Sequence, residues 1–369
     1  MKTLIIGGGV IGLLSALELA RAGYQVTVLD KQQHGQAASW AGGGILSPLY
    51  PWRYLPAVNQ LASYAPFLYH SLAIELMEST GIDIEVSRCG MLILDHEDRR
   101  DALSWYQQHP ENRAEWQQGQ SLQQLNPRLN PSFQQGLWCP DIGHVRNPRL
   151  LKALIKHLEK IGVKLIRNTE IIQFESSGEQ ISAVIDQQQR RWQADQYVIC
   201  SGAWSGRLSQ LLQVELPIRP IKGQMILYKA PARWLPTIIM HQNMYLIPRL
   251  DGHILCGSTL EDQGFDLQTD SQAQQTLIQQ AESLAPELAS MPIKKHWAGL
   301  RPAAPHGIPF IGRTPQYDNL WVNAGHFRNG IVLAPASARL LREQMLNQRT
   351  TVTATDYQFA ERLTGVMGN

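Results

Sequence analysis

The spacing of apolar residues changes period twice within the opening thirty positions of the chain. Thr3, Leu4, Ile5 and Ile6 form a short run that stops at Gly7, helical spacing follows through Ile11, Leu14, Leu17 and Leu19, and Gln25 to Leu29 alternates. The pattern predicts a strand, a tight turn, a helix ended by Gly23 and a second strand. Helical spacing recurs over residues 57–80, 147–162 and 331–345, and strand patterns fall at 90–94, 163–166, 171–175, 181–185, 196–200 and 320–323. Residues 147–200 read as a further βαβ-type unit returning to the first sheet, which makes the domain built on that sheet discontinuous. Residues 217–260 alternate as several short strands, suggesting an antiparallel sheet on a separate surface. The polar, Gln-rich stretch at about 97–135 reads as helical and connective.

The first turn carries chemistry. Gly7, Gly9 and Gly12 stand in G-x-G-x-x-G spacing, where the first permits the turn, the second lets a pyrophosphate approach the backbone and the third lets helix and strand pack closely. The helix N-terminus then faces the phosphates. Asp30 closes the second strand, where a carboxylate would bind the adenosine ribose hydroxyls. Its charge disfavours a 2′-phosphate and hence NADP, and leaves NAD and FAD both open. Ala37 to Gly44 is too small and glycine-rich for a regular element, so backbone is expected to run close to something there. Tyr50, Trp52, Arg53 and Tyr54, stiffened by Pro48, Pro51 and Pro56, form either a lid or a satellite of the core.

Composition narrows the classes. A chain of 369 residues with 33 Lys+Arg against 31 Asp+Glu has a formal charge of +2 and no long basic run, so no nucleic-acid partner is expected. Cys89, Cys139, Cys200 and Cys256 form no C-x-x-C pair, which predicts buried reduced thiols and no metal site. The first glycine turn comes too early for a signal peptide, and no run reaches the ~18–20 apolar residues of a membrane span, so a cytoplasmic location without a transmembrane segment is expected.

Three further blocks make the sequence specific. Ser201-Gly202-Ala203-Trp204-Ser205 follows directly on an apolar strand, Trp297 to Pro302 reads WAGLRP, and Gly325 to Gly330 reads GHFRNG. With the N-terminal βαβ unit, these make the chain resemble the glycine oxidase branch of the D-amino-acid oxidase family of FAD enzymes, in consistent order from Lys2 to about Arg342. The resemblance implies an α/β plus antiparallel architecture, a Rossmann-type FAD-binding domain interleaved with a smaller substrate-binding domain. The expected segments are 1–85, 140–215 and 300–369 for FAD, and 86–139 and 216–299 for substrate.

By the same resemblance, the cofactor is held by Gly7, Gly9, Val10, Ile11, Gly12, Asp30, Lys31, Ala38, Ser39, Gly43, Gly44, Ile45, Ile171, Ser201, Gly202, Trp204, Arg301, His326, Phe327, Arg328, Asn329, Gly330 and Ile331. No cysteine stands near the GHFRNG block, where related monomeric sarcosine oxidases attach FAD, so non-covalent FAD is expected. Arg301 is the implied carboxylate anchor, a role for which the planar guanidinium fork is suited. Tyr245 would reach the same carboxylate, Arg328 would line the pocket near the amine, and Ile45 and Leu260 would be its apolar walls. The implied reaction is oxidative deamination of glycine and other small amines or D-amino acids. A hydride passes from substrate Cα to flavin N5, the imine hydrolyses to a 2-oxo acid and ammonia, and O2 reoxidises the flavin to give H2O2. The imine would feed the thiazole of thiamine. The alternatives are a D-amino-acid dehydrogenase passing electrons to a quinone, an FAD-binding module without redox turnover, and an NAD dehydrogenase. Family members are often oligomeric, so a homo-oligomer is possible, though no interface is legible in the chain.

Overall fold

A computed structural model describes residues 1–359 of the chain. Its strands, in chain order, are β1 (Lys2–Ile6), β2 (Gln25–Leu29), β3 (Met91–Ile93), β4 (Glu115–Gln118), β5 (Gln135–Cys139), β6 (Lys164–Ile166), β7 (Ile171–Ser177), β8 (Gln180–Asp186) and β9 (Arg191–Trp192). They continue with β10 (Gln196–Ile199), β11 (Arg219–Lys229), β12 (Ile238–His241), β13 (Met244–Pro248), β14 (His253–Gly257), β15 (Ile293–Ala303), β16 (Phe310–Arg313) and β17 (Leu320–Ala324).

The first sheet has the order β16-β17-β10-β1-β2-β6 and is parallel except at its β16 edge. Both of its faces are buried, which explains why its strands read as near-continuous apolar runs. Ile5, Val26, Val28 and Val198 point to the layer of helices Val10–Arg21, Ala65–Thr80, Asn147–Lys160 and Gly330–Met345. Their strand neighbours Leu4, Ile6, Leu29, Tyr197 and Ile199 point the other way, onto Ile171, Ile181 and Val184 of a three-stranded sheet β7-β8-β9. That small sheet corrects one expectation. Of the strands in residues 163–200, only β6 and β10 return to the parallel sheet, while β7 and β8 pair antiparallel with each other and cover its second face.

The second sheet has the order β15-β11-β14-β13-β12-β3-β5-β4, antiparallel apart from the β12–β3 pair. One face, with Ile226, Leu246, Ile254 and Cys256, packs on Leu277, Ala281 and Leu284 of helix Ser271–Leu284. Alternate residues Met225, Tyr245, Ile247 and Leu255 face the opposite way, onto Ile45, Leu49 and Tyr50. Residues 97–135 are only partly helical, because β4 is the outer strand of this sheet. β15 runs unbroken from Ile293 to Ala303, so the segment boundary expected at residue 300 falls inside a strand of the second sheet. Residues 360–369 of the segment assigned to the cofactor lie outside the described residues. Cys139, Cys200 and Cys256 are buried and Cys89 is half-buried, a departure from the expectation of four buried thiols; all four are free. Among the described residues no helix is long and apolar enough to cross a membrane, and no cluster of potential metal ligands occurs.

Candidate active site

A cavity of about 510 Å³ opens between the two larger sheets. Its nucleotide end is built by the first βαβ unit. Gly7 adopts φ +115°, a left-handed conformation that favours glycine, and a Cβ there would strike Cys200 O. A Cβ at Gly12 would collide with Gly7 O, so this glycine allows the helix to pack on the turn, as its place in the motif requires. Gly7, Gly9, Val10 and Ile11 line the cavity, whereas Gly12 sits behind it. The Asp30 carboxylate accepts from Gly8 N at 2.7 Å and Gln32 N at 2.8 Å. Burial pushes its pKa up and these two amides pull against that shift, so a desolvated carboxylate is held rigidly at the cavity wall. Lys31 stacks its ammonium 3.7 Å from the centroid of the Trp204 ring, and both residues line the cavity with Ile171, Ser201 and Gly202.

The small-residue stretch is an ordered cradle. Helix Ala38–Ala41 turns into Gly42, Gly43 and Gly44, and the Asn147 carboxamide donates to Ser39 O and Gly42 O at 2.9 Å each. The fully buried Arg249 donates to Gly43 O at 2.8 Å, Val145 O at 3.1 Å and His144 Nδ1 at 2.5 Å. Burial and the nearby Arg249 and Arg146 charges push the His144 pKa down to about 2, so it stays neutral and accepts. A Cβ on Gly43 would come within 2.5 Å of Ile247 Cδ1 and 3.2 Å of the Tyr245 ring, so the backbone can pass between the sheets only without a side chain. Ala38, Ser39, Gly43, Gly44 and Ile45 all line the cavity.

Helix Gly330–Met345 begins at the opposite wall, where His326, Phe327, Arg328, Asn329, Gly330 and Ile331 line the cavity. His326 Nε2 lies 3.0 Å from Ser337 Oγ, and burial pushes its pKa down to about 3, which leaves it neutral. The Asn329 carboxamide nitrogen is buried with no hydrogen-bond partner in the structure. That free donor, a helix N-terminus and a backbone cradle closed to side chains together suit a flavin ring, whose reduced form carries negative charge. The residues present therefore fit FAD. Asp30 would hold its ribose, Gly7 to Ile11 its pyrophosphate, and Gly43 to Ile45 with Asn329 its ring, and the bound group would supply a two-electron acceptor.

The other end of the cavity is set by the second sheet. Arg301 on β15 pairs with Ile221 of β11, and its guanidinium lies across Gly223, where any Cβ would clash with it. It donates to Lys222 O at 3.2 Å, Thr259 O at 3.1 Å and Ser258 Oγ at 2.5 Å, and among the described residues no carboxylate forms an ion pair with it. Burial lowers its pKa, with the Tyr245 hydroxyl beside it opposing that shift and the Arg328 charge adding to it. Tyr245 is buried and points its hydroxyl at Met225 Sδ, 3.8 Å away. Arg328 donates to Asn243 Oδ1 at 3.0 Å, and Asn243 is in turn held by its own N–H on the Tyr50 hydroxyl at 3.1 Å.

One expected wall residue is misplaced. Leu260 is 60 % exposed and outside the cavity. Beyond β14 the chain stays extended beside β11, with Thr259 and Glu261 turned toward Gln224 and Lys222, so alternation sends Leu260 to solvent. Leu49, Met225 and Ser258 line the cavity instead. No sequence signal marks Ser258 or Met225. The aromatic loop is a satellite of the second sheet: Tyr50 donates to Asp95 at 2.9 Å, while Trp52 and Arg53 donate to Asp98 at 2.7 and 2.6 Å.

Residues 2–344 match the DAO family model, described as FAD dependent oxidoreductase. The chain is 44% identical to the glycine oxidase of Pseudomonas aeruginosa over 98% of this chain and 99% of that one. It is 33% identical to the bifunctional protein ThiO/ThiG of Trichormus variabilis, over 96% of this chain and 54% of that protein. The crystal structure of glycine oxidase from Geobacillus kaustophilus superposes with a TM-score of 0.90 at 28% identity, covering 96% of this chain and 97% of that one. With a dinucleotide cradle, a flavin-suited wall and an unpaired arginine converging on one cavity, the chain belongs to the DAO family of FAD-dependent oxidoreductases.

Proposed function

We propose that this flavoenzyme oxidatively deaminates glycine and other small amines or D-amino acids. The observation that carries the reading is the Arg301 guanidinium, which lies across Gly223 beside Tyr245 with only neutral partners, in the same cavity as the dinucleotide cradle. A cation so desolvated needs an anion, and a bidentate carboxylate matches its fork. Arg301 and Tyr245 hold the carboxylate and thereby fix where the substrate Cα–H points, a gain in orientation that replaces a dedicated base. Arg328, fixed by Asn243, lies at the amine side and favours the neutral amine by charge repulsion. Water then hydrolyses the released imine to a 2-oxo acid and ammonia, with O2 as final oxidant. The likeness to a ThiO/ThiG protein supports delivery of the glycine imine to thiamine thiazole synthesis.

The test is the visible spectrum of the purified protein before and after anaerobic glycine, with sarcosine and D-alanine alongside. Bleaching of a yellow band is expected, and a yellow protein that none of these bleaches would sink the substrate assignment. In air, one peroxide per turnover is expected. Turnover with a quinone dye but without peroxide would make the protein a dehydrogenase.

A further inference from the structure

We propose that Lys222 is a positioning residue for the substrate carboxylate clamp, acting through the loop that orients Arg301. The inference rests on the reading of Arg301 as that clamp. Two of the three acceptors of the Arg301 guanidinium, Ser258 Oγ and Thr259 O, belong to the segment between β14 and helix Ser271–Leu284, which has no regular secondary structure beyond a bridge at Glu261. Most of that segment is exposed, so its conformation depends on a few anchors.

Lys222 is the principal one. Only 2% exposed, it projects from β11 on the face opposite Gly223 and Arg301. Its ammonium donates to Asp266 Oδ2 at 2.6 Å and Gln263 Oε1 at 3.0 Å, with Glu261 Oε2 at 3.8 Å. Its backbone exchanges hydrogen bonds with Glu261 at 2.9 and 3.0 Å, and the same carbonyl accepts from Arg301 Nη1. Gln224, two residues along β11, extends the anchor: its side-chain nitrogen donates to Glu261 and Asp270, and its backbone N–H donates to Thr259 Oγ1. Glu261, Asp266 and Asp270 thus crowd one short loop, and Lys222 is the cation that draws two of them in. Loss of that charge frees the loop, and with it the Thr259 carbonyl and the Ser258 hydroxyl that set the rotation of the guanidinium. Lys222 does not line the cavity and touches neither cofactor nor substrate.

Lys222→Met, which keeps the stem and removes the charge, and Asp266→Asn, at an exposed position, test the idea. In both, KM for glycine should rise by about tenfold with kcat changed less than about threefold, since ground-state and transition-state binding of the carboxylate are lost together. The Kd for FAD should be unchanged, and Lys222→Arg should recover most of the loss. The dissociation constant of glycolate, titrated by its perturbation of the flavin spectrum, should rise by the same factor. An unchanged KM and glycolate Kd in Asp266→Asn overturns the proposal, as does parallel loss of FAD affinity and kcat, which would mark a merely structural lysine. Glycolate binding reads the clamp even if glycine is not the substrate. A wild-type protein that binds glycolate but leaves glycine unoxidised therefore rejects the proposed function and still decides the role of Lys222.

Discussion

Gly223 and Arg301 are one device in two residues. A strand position facing a cavity would ordinarily carry a side chain, but here the guanidinium occupies that space. Gly223→Ala is therefore expected to displace the proposed clamp without unfolding β11, raising KM for glycine while the flavin spectrum stays intact; an unchanged KM would show that the guanidinium lies elsewhere. Arg301→Ala removes the charge-assisted pair and should lower kcat/KM by roughly two orders of magnitude, and Arg301→Lys, which keeps charge but not the fork, by about one. Arg301 was legible, because an arginine in an apolar WAGLRP block needs a partner. Leu260 was not, because its direction is fixed by the pairing of its neighbours with β11, which no local pattern encodes.

Among the elements, the first βαβ unit could be read nearly to the residue, since its strands are buried on both faces, its helix has clear periodicity and its turn requires glycine. β4 escaped notice because Glu115–Gln118 is a polar edge strand with little apolar alternation, whereas β7 and β8 were legible as strands but not as a separate sheet, because antiparallel strands covering a parallel sheet have the same period as strands within it. That covering sheet depends on a buried anion at the end of β8. Burial alone would raise the pKa of Asp186, but the Trp192 indole, the Arg190 amide and guanidinium and the Gln188 amide outweigh it and bring it down to about 2. A carboxylate with its folded pKa depressed contributes fully above the unfolded value near 4 and loses that contribution as the pH falls through about 2. Asp186→Asn should thus cost about 1–3 kcal/mol at pH 7. The difference from wild type should shrink below pH 4, as measured by denaturant titration. A pH-independent difference would mean that the carboxylate is not held as an anion.

At the scale of the whole molecule, the cavity takes its walls from two sheets with separate cores. Gly7, Asp30, Ser201 and Gly325 come from the parallel sheet and its connections, while Met225, Tyr245 and Arg301 come from the antiparallel one. The Gly42–Ile45 segment is the seam, clamped by Asn147 from the helical layer and by Arg249 just beyond β13. A ligand that fills this seam stabilises only the arrangement in which both walls are present, so its binding free energy is shared by the two cores. With free FAD at about 100 times its Kd, the native state gains about 2.7 kcal/mol. Heating should show Tm rising by a few degrees, and hydrogen exchange should slow in β1 and β10 and in β11 and β13 together. Protection confined to β1 and β10 would mean that the antiparallel sheet only faces the cofactor and does not hold it. In that case the proposed clamp on β15 is free to shift relative to the flavin, and glycine affinity would no longer depend on cofactor occupancy. Protection in both sheets instead requires glycolate and FAD to bind with positive coupling, because each then stabilises the same closed seam.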